Sequence, residues 1–235
     1  MFNHLSVTIA RTQGKKVLDQ TFRSVCLVVV LSFFNSTSSA QETRFGLKAG
    51  MNYSTIVGDL TEGVNPRFSG HFGGFVSVRY SRKFALRPEL LYSSQGFQFN
   101  TDLAFIEGGG TGDGNDFKTA VQSNYLTVPL LGDFSLNDRF SLQFGPQFGF
   151  LLNEVTKLKN FEGVDGGALD EKRSVNGDFE LDYGVAAGVS YHLNEEWAVS
   201  GRIYQGVRNR LNNGAGGDVQ NFNTVFQVSL NYLFR

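Results

Sequence analysis

The chain has 235 residues and a formal net charge of −1, with 28 Gly and 23 Phe but only four Pro, two Met and one Cys. This length suits one domain or a single barrel. The balanced charge leaves no basic stripe to attract nucleic acid, and a lone cysteine excludes an internal disulfide. Mean hydropathy is slightly negative, as expected of a barrel in which each lipid-facing residue is offset by a polar one facing inward.

The first 40 residues read as a secretory signal peptide. An apolar run over residues 25–34 follows Arg11, Lys15, Lys16 and Arg23 and precedes Ser38-Ser39-Ala40, a small-residue cleavage site before Gln41. The run is too short to span a bilayer as a helix, so an uncleaved anchor is the lesser alternative. Cys26 sits at the head of the apolar run and not after it, which argues against a lipoprotein anchor. Cleavage removes four basic residues and Asp19, leaving a mature chain without cysteine and with a net charge of −4.

From Gln41 onward the pattern has period two. The first strand, 44–54, puts Phe45, Leu47, Ala49, Met51 and Tyr53 on one face, and the second, 67–80, does the same with Phe68, Phe72, Val76, Val78 and Tyr80. The third, 84–99, presents Phe84, Leu86, Leu90 and Tyr92; the fourth, 121–136, Leu126, Val128, Leu130 and Phe134. The fifth, 139–152, carries Phe140, Leu142, Phe144, Phe148 and Phe150, and the sixth, 179–192, Phe179, Leu181, Tyr183, Val185, Val189 and Tyr191. The seventh, 197–209, shows Trp197, Val199, Ile203 and Val207, and the eighth, 222–234, Phe222, Phe226, Val228, Leu230, Tyr232 and Phe234.

Aromatics frame the short turns: Tyr80 with Phe84, Phe134 with Phe140, and Tyr191 with Trp197, joined by Tyr232 and Phe234 in the last strand. Rings where strands meet polar turns are selected at a lipid–water interface. The other four connections, 55–66, 100–120, 153–178 and 210–221, are longer. An even number of strands with short turns on one side and long loops on the other predicts an all-β, eight-stranded antiparallel up-and-down transmembrane barrel over residues 41–235, both termini periplasmic. Pro88, Pro129 and Pro146 fall inside strands, where each removes a ladder donor, so a bulge or a missing bond is expected at each. Phe97 and Phe99 fall on the polar face, which suggests a parity slip near Gly96, with the two rings either past a bulge or lining the upper lumen.

Several segments resemble the PorT-like outer-membrane β-barrel family of Gram-negative bacteria. They are Gly46-Leu47-Lys48-Ala49-Gly50, Leu86-Arg87-Pro88-Glu89-Leu90-Leu91-Tyr92, Tyr125-Leu126-Thr127-Val128-Pro129-Leu130-Leu131, Gly145-Pro146-Gln147-Phe148-Gly149, Asp182-Tyr183-Gly184 and the ending Leu230-Asn231-Tyr232-Leu233-Phe234-Arg235. The resemblance covers most of the mature chain in order and makes the in-strand prolines part of a pattern. It implies an outer-membrane location but little about activity.

The inward faces carry both signs of charge: Arg79, Arg87, Arg202 and Arg208 against Glu89, Asp133, Glu180 and Asp182. An eight-stranded bore is just wide enough to be filled by side chains, so these charges must pair, with Asp182 and Arg208 expected opposite one another. A lumen plugged by salt bridges is the leading expectation, ahead of a narrow ion or small-solute path. His71 with Ser69 and Ser77 on one face invites comparison with lipid-modifying barrel enzymes, but alternation alone places such residues together, so no catalytic residue is assigned. His192 sits beside a turn as a rim residue. The segment 108–116, rich in Gly and Asp, is expected to be an exposed loop, with calcium binding as the lesser alternative. No cofactor or metal is expected. The expected partners are outer-membrane lipid, the barrel-assembly machinery reading the C-terminal aromatic strand, and a protein met by the loops or turns. A soluble lipocalin-like barrel is the remaining alternative; it would put the aromatic faces inside and Glu89 and Arg202 in water.

Overall fold

Alternation dictates what forms after residue 41. The computed structural model describes residues 42–59, 63–101, 117–159, 170–173, 180–209 and 220–234. Among them are nine strands: β1 (Glu42–Gly58), β2 (Val64–Arg79), β3 (Phe84–Thr101), β4 (Phe117–Ser135), β5 (Phe140–Lys159), β6 (Asp170–Arg173), β7 (Leu181–His192), β8 (Trp197–Gly206) and β9 (Asn221–Leu233). Eight of them pair in the order β4-β3-β2-β1-β9-β8-β7-β5, and a further β4–β5 ladder closes the ring. Every ladder is antiparallel. The protein is the expected eight-stranded up-and-down barrel, a shape that leaves no unpaired backbone edge in hydrocarbon.

The barrel is inside-out. Phe72 is 61% exposed and Val189 52%, whereas Arg87 is 3% and Asp182 6% exposed. Along β1, Phe45, Leu47, Met51 and Tyr53 point outward while Lys48, Asn52 and Ser54 are buried inside. This excludes the lipocalin-like arrangement, whose interior would be apolar. Near the lower end, ring pairs run along the outer wall: Tyr80–Phe84, Phe84–Phe134, Phe140–Tyr191, Trp197–Tyr232 and Tyr232–Phe234, with centroids 4.8–6.1 Å apart.

The three short turns share one hydrogen-bond plan. In 80–84, 136–140 and 193–197, the amides of the first two residues donate to the carbonyl of the fifth. A side-chain oxygen at the second position, from Ser81, Asn137 or Asn194, accepts from the amides of the fourth and fifth residues. Ser and Asn side chains do this readily, mimicking a backbone turn.

Pro88, Pro129 and Pro146 cost pairings without shifting register. The β2–β3 ladder skips between Phe75↔Glu89 and Val78↔Leu86, beside Pro88, and resumes in the same register. The β3–β4 ladder skips similarly beside Pro129 and the β4–β5 ladder beside Pro146. Each proline keeps its pairing on the other side, as expected where only a donor is lost. The two register shifts lie elsewhere, between Pro66 and His71 and between Asn124 and Tyr125.

The suggested slip in the third strand shows as a register shift: the β2–β3 ladder moves by one residue between His71↔Ser93 and Pro66↔Phe97. The β3–β4 ladder keeps one register through this stretch, and Phe97 and Phe99, stacked 6.3 Å apart, stand opposite Pro66 and Val64, on the parity of the outward Phe68, past the irregularity. Gly96 permits this with φ of 135°; a Cβ there would lie 1.9 Å from the Val121 carbonyl oxygen. β4 and β5 also run further into the expected loops than alternation indicated, and β6 pairs with the top of β5, Glu154 opposite Arg173. The signal segment 1–40, the Gly/Asp segment 108–116 and Arg235 lie outside the described residues.

Candidate functional site

The barrel's lumen holds the densest chemistry, built by parity. Glu89 is an inward residue of β3, and Arg202 an inward residue of β8, four strands away round the closed sheet in either direction. They therefore face each other across the full bore. Arg202 Nη1 donates to Glu89 Oε2 and Nη2 to Glu89 Oε1, both at 2.8 Å, a bidentate pair of the strong kind. Nη2 also donates to Gln143 Oε1 of β5 at 3.0 Å.

Two more cations crowd the same carboxylate. Lys48 Nζ of β1 lies 3.3 Å from Glu89 Oε2, and Arg87 Nε lies 3.1 Å from Oε1. Arg87 Nη2 donates to Asn231 Oδ1 of β9 at 2.8 Å, and its guanidinium carbon sits 3.6 Å over the centroid of the Phe75 ring. Arg87 Nη1 is 3.9 Å from Asp133 Oδ2, which also accepts from Gln143 Nε2 at 2.9 Å. Three cations thus share two carboxylates, and the side chains of Lys48, Arg87, Glu89 and Arg202 are at most 3% exposed. Removing charges from water costs several kcal/mol each, so such a cluster persists only when its members are mutually satisfied.

A second polar tie lies beside it. His71 Nδ1 meets Asn52 Oδ1 at 2.7 Å and Nε2 meets Ser229 Oγ at 2.8 Å. Asn52 spends its amide hydrogens on Ser93 Oγ and Ser94 O, so its oxygen must accept, which puts the imidazole proton on Nδ1. Hydrogen-bond reach of this kind would suit a nucleophile, base and orienting group. Ser229 is only 3% exposed, however, so no substrate carbonyl can reach its oxygen in this arrangement. Ser69, placed with His71 by parity, instead donates to Ser94 O at 2.6 Å. Higher in the bore, Asn223 donates to Asp182 Oδ2 at 2.8 Å and approaches Tyr125 Oη, while Leu131, Ala186, Tyr204 and Val225 form a small apolar cluster.

Of the eight charges expected in the lumen, the structure joins Arg87, Glu89, Asp133 and Arg202 in one cluster and buries Asp182 apart from it. Arg79, Glu180 and Arg208 are exposed at strand ends. Arg208 donates to the Leu181 carbonyl instead of crossing to Asp182. The reason is position: β8 ends at Gly206, so Arg208 lies past the strand in water, while Asp182 turns inward to Asn223. Lys48, Gln143 and Asn231 are members that sequence reasoning did not single out; Lys48 shares the inward parity of Asn52 and Ser54, a signal that was available. Among the described residues, no group of His, Cys, Asp and Glu side chains is placed to hold a metal ion.

No curated protein sequence matches the chain. Among solved structures, it is similar to Ail, the attachment invasion locus protein of Yersinia pestis, with a TM-score of 0.45 and 12% identity over 82% of this chain and 99% of that one. It is similar to Neisserial surface protein A, at 0.45 and 12% over 81% and 97%, and to OprG from Pseudomonas aeruginosa, at 0.36 and 12% over 84% and 98%. Residues 35–212 match the family described as outer membrane protein beta-barrel domain. With an inside-out closed barrel and a match over most of its length, the chain belongs to that outer-membrane β-barrel family.

Proposed function

We propose that this protein is a non-enzymatic, non-conducting barrel of a Gram-negative outer membrane, a braced platform whose extracellular loops meet a protein partner. The observation that carries this reading is the Glu89–Arg202 pair spanning the bore, with Lys48 and Arg87 packed on the same carboxylate. An ion entering the lumen would have to displace a bidentate bond and separate charges already stripped of water. The burial of Ser229 favours the non-enzymatic reading over a lipid-modifying one. The PorT-like segments quoted above support the finer family placement, and the C-terminal aromatics support recognition by the barrel-assembly machinery. Reconstitution in a planar lipid bilayer tests the sealed lumen: no conductance steps are expected, and stable steps from the unmodified protein would favour the channel reading. Crosslinking in the native envelope tests the platform, through capture of a partner at the loops.

A further inference from the structure

The periplasmic mouth of the barrel forms an open concavity of about 700 Å³, within the range of about 300–1,000 Å³ usual for small-ligand sites. Its walls carry opposite charge. On one side Arg79 ends β2, and Arg82 and Lys83 occupy the β2–β3 turn. On the other Glu195 sits in the β7–β8 turn, and between them the β4–β5 turn carries both signs, Asp138 beside Arg139. All six side chains are exposed, and among the described residues none has an opposite charge within salt-bridge distance. Glu42, which faces Arg79 in the β1–β2 register, is taken by Arg44.

Two features make this more than a solvated rim. Arg82, Lys83, Asp138 and Glu195 stand on turns whose backbones are fixed by their own Ser and Asn side chains, so the basic β2–β3 turn and the acidic Glu195 are held apart across a concavity. The cavity is also blind, because Arg87, Asp133 and the Glu89 cluster block the bore above it. A solute that enters has nowhere to pass and can only be held.

We propose that this mouth binds a short peptide carrying charges of both signs, its free carboxylate against Arg79, Arg82 and Lys83 and its amino group against Glu195 and Asp138. The test uses the full chain in detergent micelles and a tetrapeptide with an N-terminal fluorophore, one lysine and a free C-terminal carboxylate, followed by fluorescence anisotropy at low salt. The peptide should bind, weaken as salt rises, and lose affinity about tenfold on C-terminal amidation or in the Arg82→Gln/Lys83→Gln variant. Glu195→Gln should weaken the lysine peptide and leave its acetyl-lysine counterpart unchanged. Heat-modifiable gel mobility verifies that each variant is folded. Absence of binding by the unmodified protein, equal binding by the variants, or indifference to amidation would each overturn the assignment. So would displacement by inorganic phosphate as effective as displacement by unlabelled peptide, which would show a site that reads only an anion.

Discussion

Replacing Glu89 with alanine removes the one carboxylate on which Lys48, Arg87 and Arg202 converge. The remaining acid of the cluster, Asp133, is 3.9 Å from Arg87 and is already engaged by Gln143, so it cannot serve all three cations. Breaking a buried pair by deleting one partner costs about 3–5 kcal/mol, or roughly two to nearly four powers of ten in the folding equilibrium constant. Urea titration of the barrel in lipid vesicles, read through Trp197, the single tryptophan of the chain, measures this directly. Arg202→Ala should cost a similar amount. The double variant should cost much less than the sum, because removing both partners strands no opposing charge between them. If Glu89→Ala cost under about 1 kcal/mol, the figure for exposed pairs, the carboxylate would be solvated and the case for a sealed bore would fail.

Two other substitutions probe the walls. Gly46 lies under Phe75, where a Cβ would come 2.3 Å from the ring and 2.6 Å from the Tyr232 carbonyl; Gly46→Val should destabilise by about 1–3 kcal/mol through overpacking, measured by the same titration. Val228, 63% exposed on the lipid side of β9, should tolerate Leu but lose about 2–4 kcal/mol on Val228→Lys in lipid vesicles. The same change in a position facing water would be nearly silent, so a small effect would argue against the assigned lipid face.

Much of this was legible from alternation, and the limits of alternation explain the rest. Period two fixes which face a residue occupies, so Phe45 and Leu47 could be placed outside and Glu89 and Arg202 inside without coordinates. It does not fix who meets whom across the bore. Glu89 and Arg202 are 113 positions apart, and their meeting depends on the stagger of the closed ring, a property of all eight strands together. Lys48 went unremarked for the same reason, since a single inward lysine gains meaning only beside the carboxylate it touches. At the rim the pattern misled: Asp182 and Arg208 follow correctly from the β7–β8 register, yet Arg208 lies past the end of β8 and turns to the Leu181 carbonyl. The prolines show a third limit. Composition says a donor is missing, and only the ladders show that the loss is absorbed as a gap and not a bulge.

The brace across the bore also orders events in time. Lys48 comes from the first strand, Glu89 from the third, Arg202 from the last but one and Asn231 from the last, and β1 neighbours β9 only at the seam where the chain's two ends join. The cluster therefore cannot assemble while the sheet is open. Until that seam zips, Arg202 of β8 and Asn231 of β9 stay out of reach of the Arg87–Glu89 pair of β3, so the latch that keeps the bore shut is fastened by the same motion that makes it a bore.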